Sequence, residues 1–191
     1  MHKKTIENET REKIPDYIRN IISGGYNKAF FKASLVDFNC DNTIRIISDV
    51  DGYEPLCNKS KLELAEMLDI LVLVMENVER AKDVYLFPED YMINENTVYV
   101  NQNNSKVLFL FHPEIPEINE VKSGIFYYLE RYFTSISDDL SKPYIRKAVR
   151  ILENKKFGNN NAILEVNGLK NKAIRWRVGE DPVKRFMEED S

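Results

Sequence analysis

Glycine is scarce in this chain, seven in 191 residues, and no stretch has G-x-G-x-x-G spacing. That excludes the familiar glycine-rich cradle for phosphates. The one N-terminal pair, Gly24-Gly25, reads as the stop of a helix. Cysteine is scarcer still. Cys40 and Cys57 have no metal-ligand spacing, so zinc is not expected. In a domain of this size they read as buried thiols of a reducing compartment, with one disulfide between them as the alternative. His112 is the only internal histidine, and neither cysteine has a nucleophile's sequence context. A hydrolase built on His112 with Glu114 nearby therefore yields to a plain strand-end histidine. The longest apolar run, Ile70 to Met75, is far short of the roughly 20 residues that a membrane-spanning helix needs. Residues 1 to 9 carry charge and no apolar signal-like core. There is no excess of positive charge either: the net charge is −4, which gives no general attraction to nucleic acid or anionic lipid. The expectation is a cytoplasmic chain with no nucleic-acid partner and no membrane span, reaching a membrane only through another protein.

What the chain does have is enough apolar and aromatic content to fold. It is 43% hydrophobic, 30% charged and 11% aromatic, values close to soluble globular domains and unlike disordered ones. Residues 1–13 are polar and read as flexible. Pro15 suits the first position of a helix, with Ile14, Ile18, Ile21 and Ile22 at helical spacing. Ala29 to Phe38 and Thr43 to Val50 read as strands around a turn at Asn39 to Asn42, with Ile44 and Ile46 on one face. Ser60 and Glu63 match a capping box, so a helix is expected from Lys61 to about Lys82. Leu64, Met67, Leu68, Leu71, Met75 and Val78 form one stripe of it, and Ile70, Val72, Leu73 and Val74 fill most of the rest. A helix that is apolar nearly all round is a buried central one.

After it come short strands: Val84 to Phe87, Tyr91 to Ile93, Thr97 to Val100, and Lys106 to Phe111. Helices are expected at about Val121 to Ser135 and from Ser141-Lys142-Pro143 to near Gly158. Asn159 to Asn161 reads as a linker. Ala162 to Val166 and Ala173 to Val178 read as a terminal hairpin around Asn167-Gly168. This divides the chain into a flexible N-terminus (1–13), an α+β domain (14–158), and an appended hairpin with a charged tail (159–191).

The stretch Asp83 to Gln102, DVYLFPEDYMINENTVYVNQ, carries most information about chemistry. Its layout resembles the protein-kinase catalytic loop, H-R-D-L-K-P-E-N followed by two short strands and D-F-G. The proline and glutamate survive as Pro88 and Glu89. Tyr85 stands at the position of the catalytic Asp, Phe87 at that of the loop Lys, and Asp90 at that of the metal-binding Asn. Asn101 or Gln102 stands where the D-F-G Asp is expected. Lys28 and Lys32 are the nearest candidates for the phosphate-binding strand lysine, and neither has a V-A-I-K setting. Phosphoryl transfer depends on a base and a metal clamp around the phosphates, so the resemblance implies a kinase-like scaffold without the catalytic set. In that reading Tyr85, Phe87, Pro88, Glu89 and Asp90 are structural, with Leu86 and Phe87 in the core.

From Ile46 to Phe157 the order of elements also resembles an uncharacterised bacterial domain family. Its members lie N-terminal to forkhead-associated domains. The matching features are the strand and turn Ile44 to Gly52, Leu56, the long helix, Tyr85 to Ile93, and the paired helices ending near Phe157. More distantly the chain is similar to the pseudokinase-like cytoplasmic domain of the EssB/YukC component of type VII secretion. The resemblance implies an α+β, pseudokinase-type scaffold and a protein partner.

Three other constellations carry candidate chemistry. Asp49-Val50-Asp51-Gly52 resembles the start of a metal loop, but Tyr53 stands where another acid is required, so a turn is expected. Lys142, Arg146, Lys147 and Arg150 give one helix a basic side, read as solvated. Arg175, Trp176 and Arg177 on the expected hairpin form the candidate interaction surface, since Trp and Arg are enriched at binding hot spots. The resulting expectation is a non-catalytic recognition module with no cofactor and no metal. One rival is an enzyme using Asp90, or Asp49 and Asp51, with a metal or nucleotide. The other is a structural subunit that assembles through its C-terminal hairpin.

Overall fold

In the computed structural model, residues 4–38, 42–113, 124–154 and 159–177 are described, without the side chains of 159 and 175–177. The architecture is α+β, as expected. A three-stranded antiparallel sheet is formed by β1 (Thr5–Thr10), β2 (Ala33–Phe38) and β3 (Thr43–Asp49) in the order β1-β3-β2. The polar N-terminal segment, expected to be flexible, is therefore a strand over Thr5–Thr10. Its alternating TIENET pattern places Glu7 and Glu9 on the same face as Arg45 of β3, which reaches Glu9 at 2.9 Å and Glu7 at 3.7 Å. Ile44 and Ile46 share the opposite, buried face. Helix α1 (Asp16–Gly24) starts at Pro15 and stops at Gly25, whose φ of 68° is the left-handed conformation glycine tolerates best. Arg19 of α1 forks onto the Asp37 carboxylate of β2 at 2.8 and 3.0 Å.

The second sheet is also antiparallel, with β4 (Tyr53–Pro55), β5 (Val98–Asn101) and β6 (Val107–Phe109) in that order. The segment before β2 joins its far side. The Phe109 N–H donates to Ala29 O at 2.8 Å, and the Phe31 N–H donates to Phe109 O at 3.0 Å. Phe31, Val50, Tyr99 and Leu110 form a small cluster of their own, with Phe31 edge-on to Tyr53 and Tyr99.

Helix α2 (Leu64–Lys82) is the centre of the main core, buried nearly all round as its composition requires. It begins three residues later than expected. The cap is Glu63, whose N–H donates to Glu66 Oε2 at 2.8 Å, and not Ser60. A polar side chain of α2, Asn77, is sealed inside the core. Asn77 donates to Val107 O of β6 at 2.6 Å and accepts from Arg80 at 2.6 Å, tying the helix to the second sheet.

Three further helices complete the described residues: α3 (Tyr127–Ile136), α4 (Lys142–Glu153) and α5 (Asn159–Arg177). The expected start of α3 at Val121 lies outside the described residues. Its Tyr132 hydroxyl donates to Leu56 O and Lys59 O at 2.8 and 3.1 Å. The entry to α3 is held by Glu153 at the end of α4, whose Oε1 accepts the Phe126 N–H at 2.9 Å. Gly124 there has a φ of 104°, and a Cβ on it would run into the Glu153 carboxylate. On the basic side of α4, Lys142 pairs with Asp139 at 2.7 Å.

The C-terminal hairpin and Asn-rich linker expected from the sequence are not there: residues 159–177 form one helix. The reason is a second periodicity. Ala162, Val166, Leu169 and Ala173 recur at helical spacing and are all buried, and α5 packs on α2 and α4. Gly168 sits in open space mid-helix, so the Asn-Gly pair that suggests a turn is overridden by this packing. Lys170 then clamps both oxygens of Asp69 on α2 at 2.6 Å.

Candidate functional site

The loop Asp83 to Asp90 leaves the end of α2 through a Schellman arrangement. The Leu86 N–H donates to Ala81 O at 3.0 Å and the Tyr85 N–H to Lys82 O at 2.9 Å. That geometry puts Tyr85 in the left-handed region, at φ 62°, a place normally held by glycine. Val84 to Phe87 is thus a helix terminus and not a strand. Leu86 is fully buried, as expected. Phe87 is not core: it is 46% exposed, and Tyr85 is 73% exposed. The turn geometry explains this, because anchoring Leu86 inward turns its two neighbours outward.

Asp90 closes the loop on itself. Pro88–Asp90 is a single 3₁₀ turn, the Asp90 N–H donates to Phe87 O at 2.8 Å, and Asp90 Oδ2 accepts the Phe87 N–H at 2.8 Å. The Asp90 carboxylate is therefore part of the backbone wiring. Beyond it, Tyr91 to Ile93 is irregular and not a strand, with the Met92 N–H donating to the His112 carbonyl at 3.1 Å. Tyr91 is buried, with its hydroxyl unpaired among the described residues. Burial, and then the charges of Asp90, Glu89 and Glu79, push its phenol well above the usual range.

The paired strands after the loop are β5 and β6, joined through Asn101 to Lys106. Asn101 ends β5 and Gln102 lies in the turn that follows, while Leu110, Phe111 and His112 come after β6. Leu110 and Phe111 are both buried. Between this strand end and the loop, the space is filled by rings. Phe30 lies edge-on to Tyr91 at 4.7 Å, Phe109 at 5.4 Å and Phe111 at 6.0 Å. Lys28 and Lys32 flank Phe30 in sequence at exposed positions.

A cleft of about 310 Å³ lies elsewhere, between α2 and the β5–β6 turn, lined among others by Glu66, Asp69 and Asn104. Its acids are engaged. Glu66 accepts from Asn104 at 3.0 Å as well as from the Glu63 N–H, and Asp69 is clamped by Lys170. Asp49 and Asp51 form a turn at Gly52 (φ 79°), with Asp49 Oδ1 accepting the Asp51 N–H at 3.2 Å. Among the described residues, no three His, Cys, Asp or Glu side chains gather as a metal cage would require. Cys57, expected to be buried, is an exposed free thiol, and Cys40 lies outside the described residues. Arg175, Trp176 and Arg177 close α5, and their side chains lie outside the described residues. The three residues stand on a helix and not on the expected hairpin.

Sequence reasoning singled out Tyr85 and Phe87 as loop residues but missed that both are exposed. The available signal was the helix end itself: a buried Leu86 just past α2 demands a left-handed residue before it.

The chain is similar to several solved structures, all at low identity. One is the apo structure of a pseudokinase, with a TM-score of 0.49, 12% identity, and 81% of this chain and 75% of that chain covered. A second is the Geobacillus thermodenitrificans EssB cytoplasmic fragment, at 0.48 and 10%, covering 93% and 90%. The Staphylococcus aureus EssB cytoplasmic fragment gives 0.41 and 14%, covering 98% and 99%. No family model matches the chain, and no curated protein matches it. Among the described residues, no helix is long and apolar enough to cross a membrane.

Proposed function

We propose that this chain is a protein-recognition module without catalysis of its own, serving a bacterial signalling or secretion-type assembly. The observation that carries the non-catalytic part is the state of the loop. Asp90, the acid that the resemblance puts at the metal-binding position, holds the Phe87 N–H. The space beside it is packed with Phe30, Tyr91, Phe109 and Phe111. Phosphoryl transfer needs a carboxylate on a metal and room for phosphates; a carboxylate engaged by the backbone beside packed rings supports the reading without catalysis. The bacterial setting, and any kinship with domains that accompany forkhead-associated modules or with type VII secretion, rests on the resemblance in the sequence.

The test is a thermal-shift screen with nucleotides, magnesium and other divalent ions, paired with a phosphotransfer assay. A ligand that binds the folded state raises the midpoint by mass action. No shift is expected for any of them. A midpoint raised by magnesium and ATP, with phosphotransfer lost in Asp90→Ala, refutes the reading and restores the enzyme.

A further inference from the structure

We propose that the exposed face of the loop, Asp83, Tyr85, Phe87, Glu89 and Asp90, is a docking surface for a basic, amphipathic segment of a partner protein. The inference rests on the recognition reading and gives it a location and a chemistry. Two observations carry it. The first is exposed aromatic surface on a rigid support. Tyr85 and Phe87 present large rings to solvent, two positions apart, on a turn pinned at the end of α2 by three backbone hydrogen bonds, Tyr85 to Lys82, Leu86 to Ala81 and Asp90 to Phe87, and by one from the Phe87 N–H to the Asp90 side chain. Rigid aromatics give contact area at a low entropic cost, which is why they dominate hot spots.

The second is charge. The bases nearest the loop in sequence, Arg80 and Lys82, already face Glu76 and Glu79 at 3.2 and 2.7 Å. No basic residue stands between Asp83 and Asp90. Asp83 and Glu89 are exposed and enter no ion pair among the described residues. Two rings flanked by uncompensated acids repel nucleic acid and anionic lipid. They complement a peptide that carries lysine or arginine beside an aliphatic or aromatic anchor.

The experiment is selection from a random peptide library on the full chain, followed by affinity measurement of the enriched peptides by fluorescence anisotropy. Enriched sequences are expected to combine Lys or Arg with a large apolar residue. Their affinity should fall about tenfold or more on Tyr85→Ser/Phe87→Ser, a loss of hot-spot size. It should fall on Asp83→Asn/Glu89→Gln and with added salt as well. Unchanged melting curves show that these exposed substitutions leave the fold intact. Four results would overturn the proposal: no enrichment, enriched peptides without basic residues, binding indifferent to both double variants, or a loop that instead pairs two copies of the chain, seen as a dimer that the Tyr85/Phe87 variant dissolves. Peptides that bind away from this loop would end the surface and leave the recognition reading standing. Nucleotide-dependent phosphotransfer would end the recognition reading by itself.

Discussion

Replacing Tyr85 with glycine should make the protein more stable. The side chain at this position is mostly in solvent and contributes little packing, while its backbone sits at φ 62°. A left-handed conformation costs an L-residue with a Cβ about 1–2 kcal/mol. Glycine removes that cost but gives the unfolded chain more freedom, worth about 0.4–1 kcal/mol in the opposite direction. The difference is a gain of roughly 0.5–1 kcal/mol, or about 1–4 °C in midpoint for a chain of this size. Tyr85→Asn should recover part of it, because asparagine tolerates the left-handed region. Tyr85→Ala should recover none, because the Cβ remains. Urea unfolding followed by circular dichroism reads all three at constant slope. A Tyr85→Gly variant less stable than the parent would refute the reasoning: it would mean that the phenol ring makes stabilising contacts, and that the turn is not the glycine-type terminus described. The same variant should bind the partner peptide more weakly, so stability and recognition move in opposite directions.

Four other outcomes are expected. Asn77→Ala should lower unfolding free energy by about 2–3 kcal/mol in urea melts, since it strands the buried Val107 carbonyl and removes the Arg80 Nη1 acceptor, leaving Arg80 only its bond to Glu76. Gly124→Ala should destabilise by about 2 kcal/mol or more, because both the positive φ and the Glu153 carboxylate oppose a Cβ; the same melts read it. Burial, and more weakly Glu130, raise the Glu153 carboxyl above its ordinary value, against the pull of the Phe126 N–H. A raised folded pKa stabilises the fold below the unfolded value near 4.5, and that contribution fades as pH rises through the folded pKa. Glu153→Gln should therefore remove a decline in stability that begins just above pH 4.5. Lys170→Ala should cost only about 0.5–1 kcal/mol, the range for a solvent-accessible ion pair, yet speed hydrogen exchange along α5, which that clamp ties to α2.

The elements that could be read from the sequence were those whose local signals and packing agree. The all-round apolar run gave α2, Pro15 and Gly25 bracketed α1, and the alternation at Thr43 to Val50 gave β3 with the right face inward. The α+β class followed from these. The misread segments are places where a local signal and tertiary packing disagree. Asn167-Gly168 is a strong turn pair in isolation, but buried Ala162, Val166, Leu169 and Ala173 hold it inside a helix. The polar string Thr5 to Thr10 has no apolar stripe of its own and becomes a strand only because β3 offers it a register. In the loop, the composition already pointed to lost chemistry at Tyr85, Phe87 and Asp90. What composition alone could not give was direction: which rings turn inward depends on a hydrogen bond from Leu86 to Ala81 across the helix end.

Strand β1 also has a protective role. It covers one flank of β3, and β3 holds the fully buried Ile46. Proteolytic loss of the first dozen residues would uncover a row of unsatisfied amides and carbonyls beside an isoleucine-rich segment, a template for strand addition by other chains. Glu7 and Glu9 would leave with it, and with them the negative charge that discourages stacking. For this protein, clumping in storage would then be a sign of a nicked N-terminus well before it is a sign of a melted core.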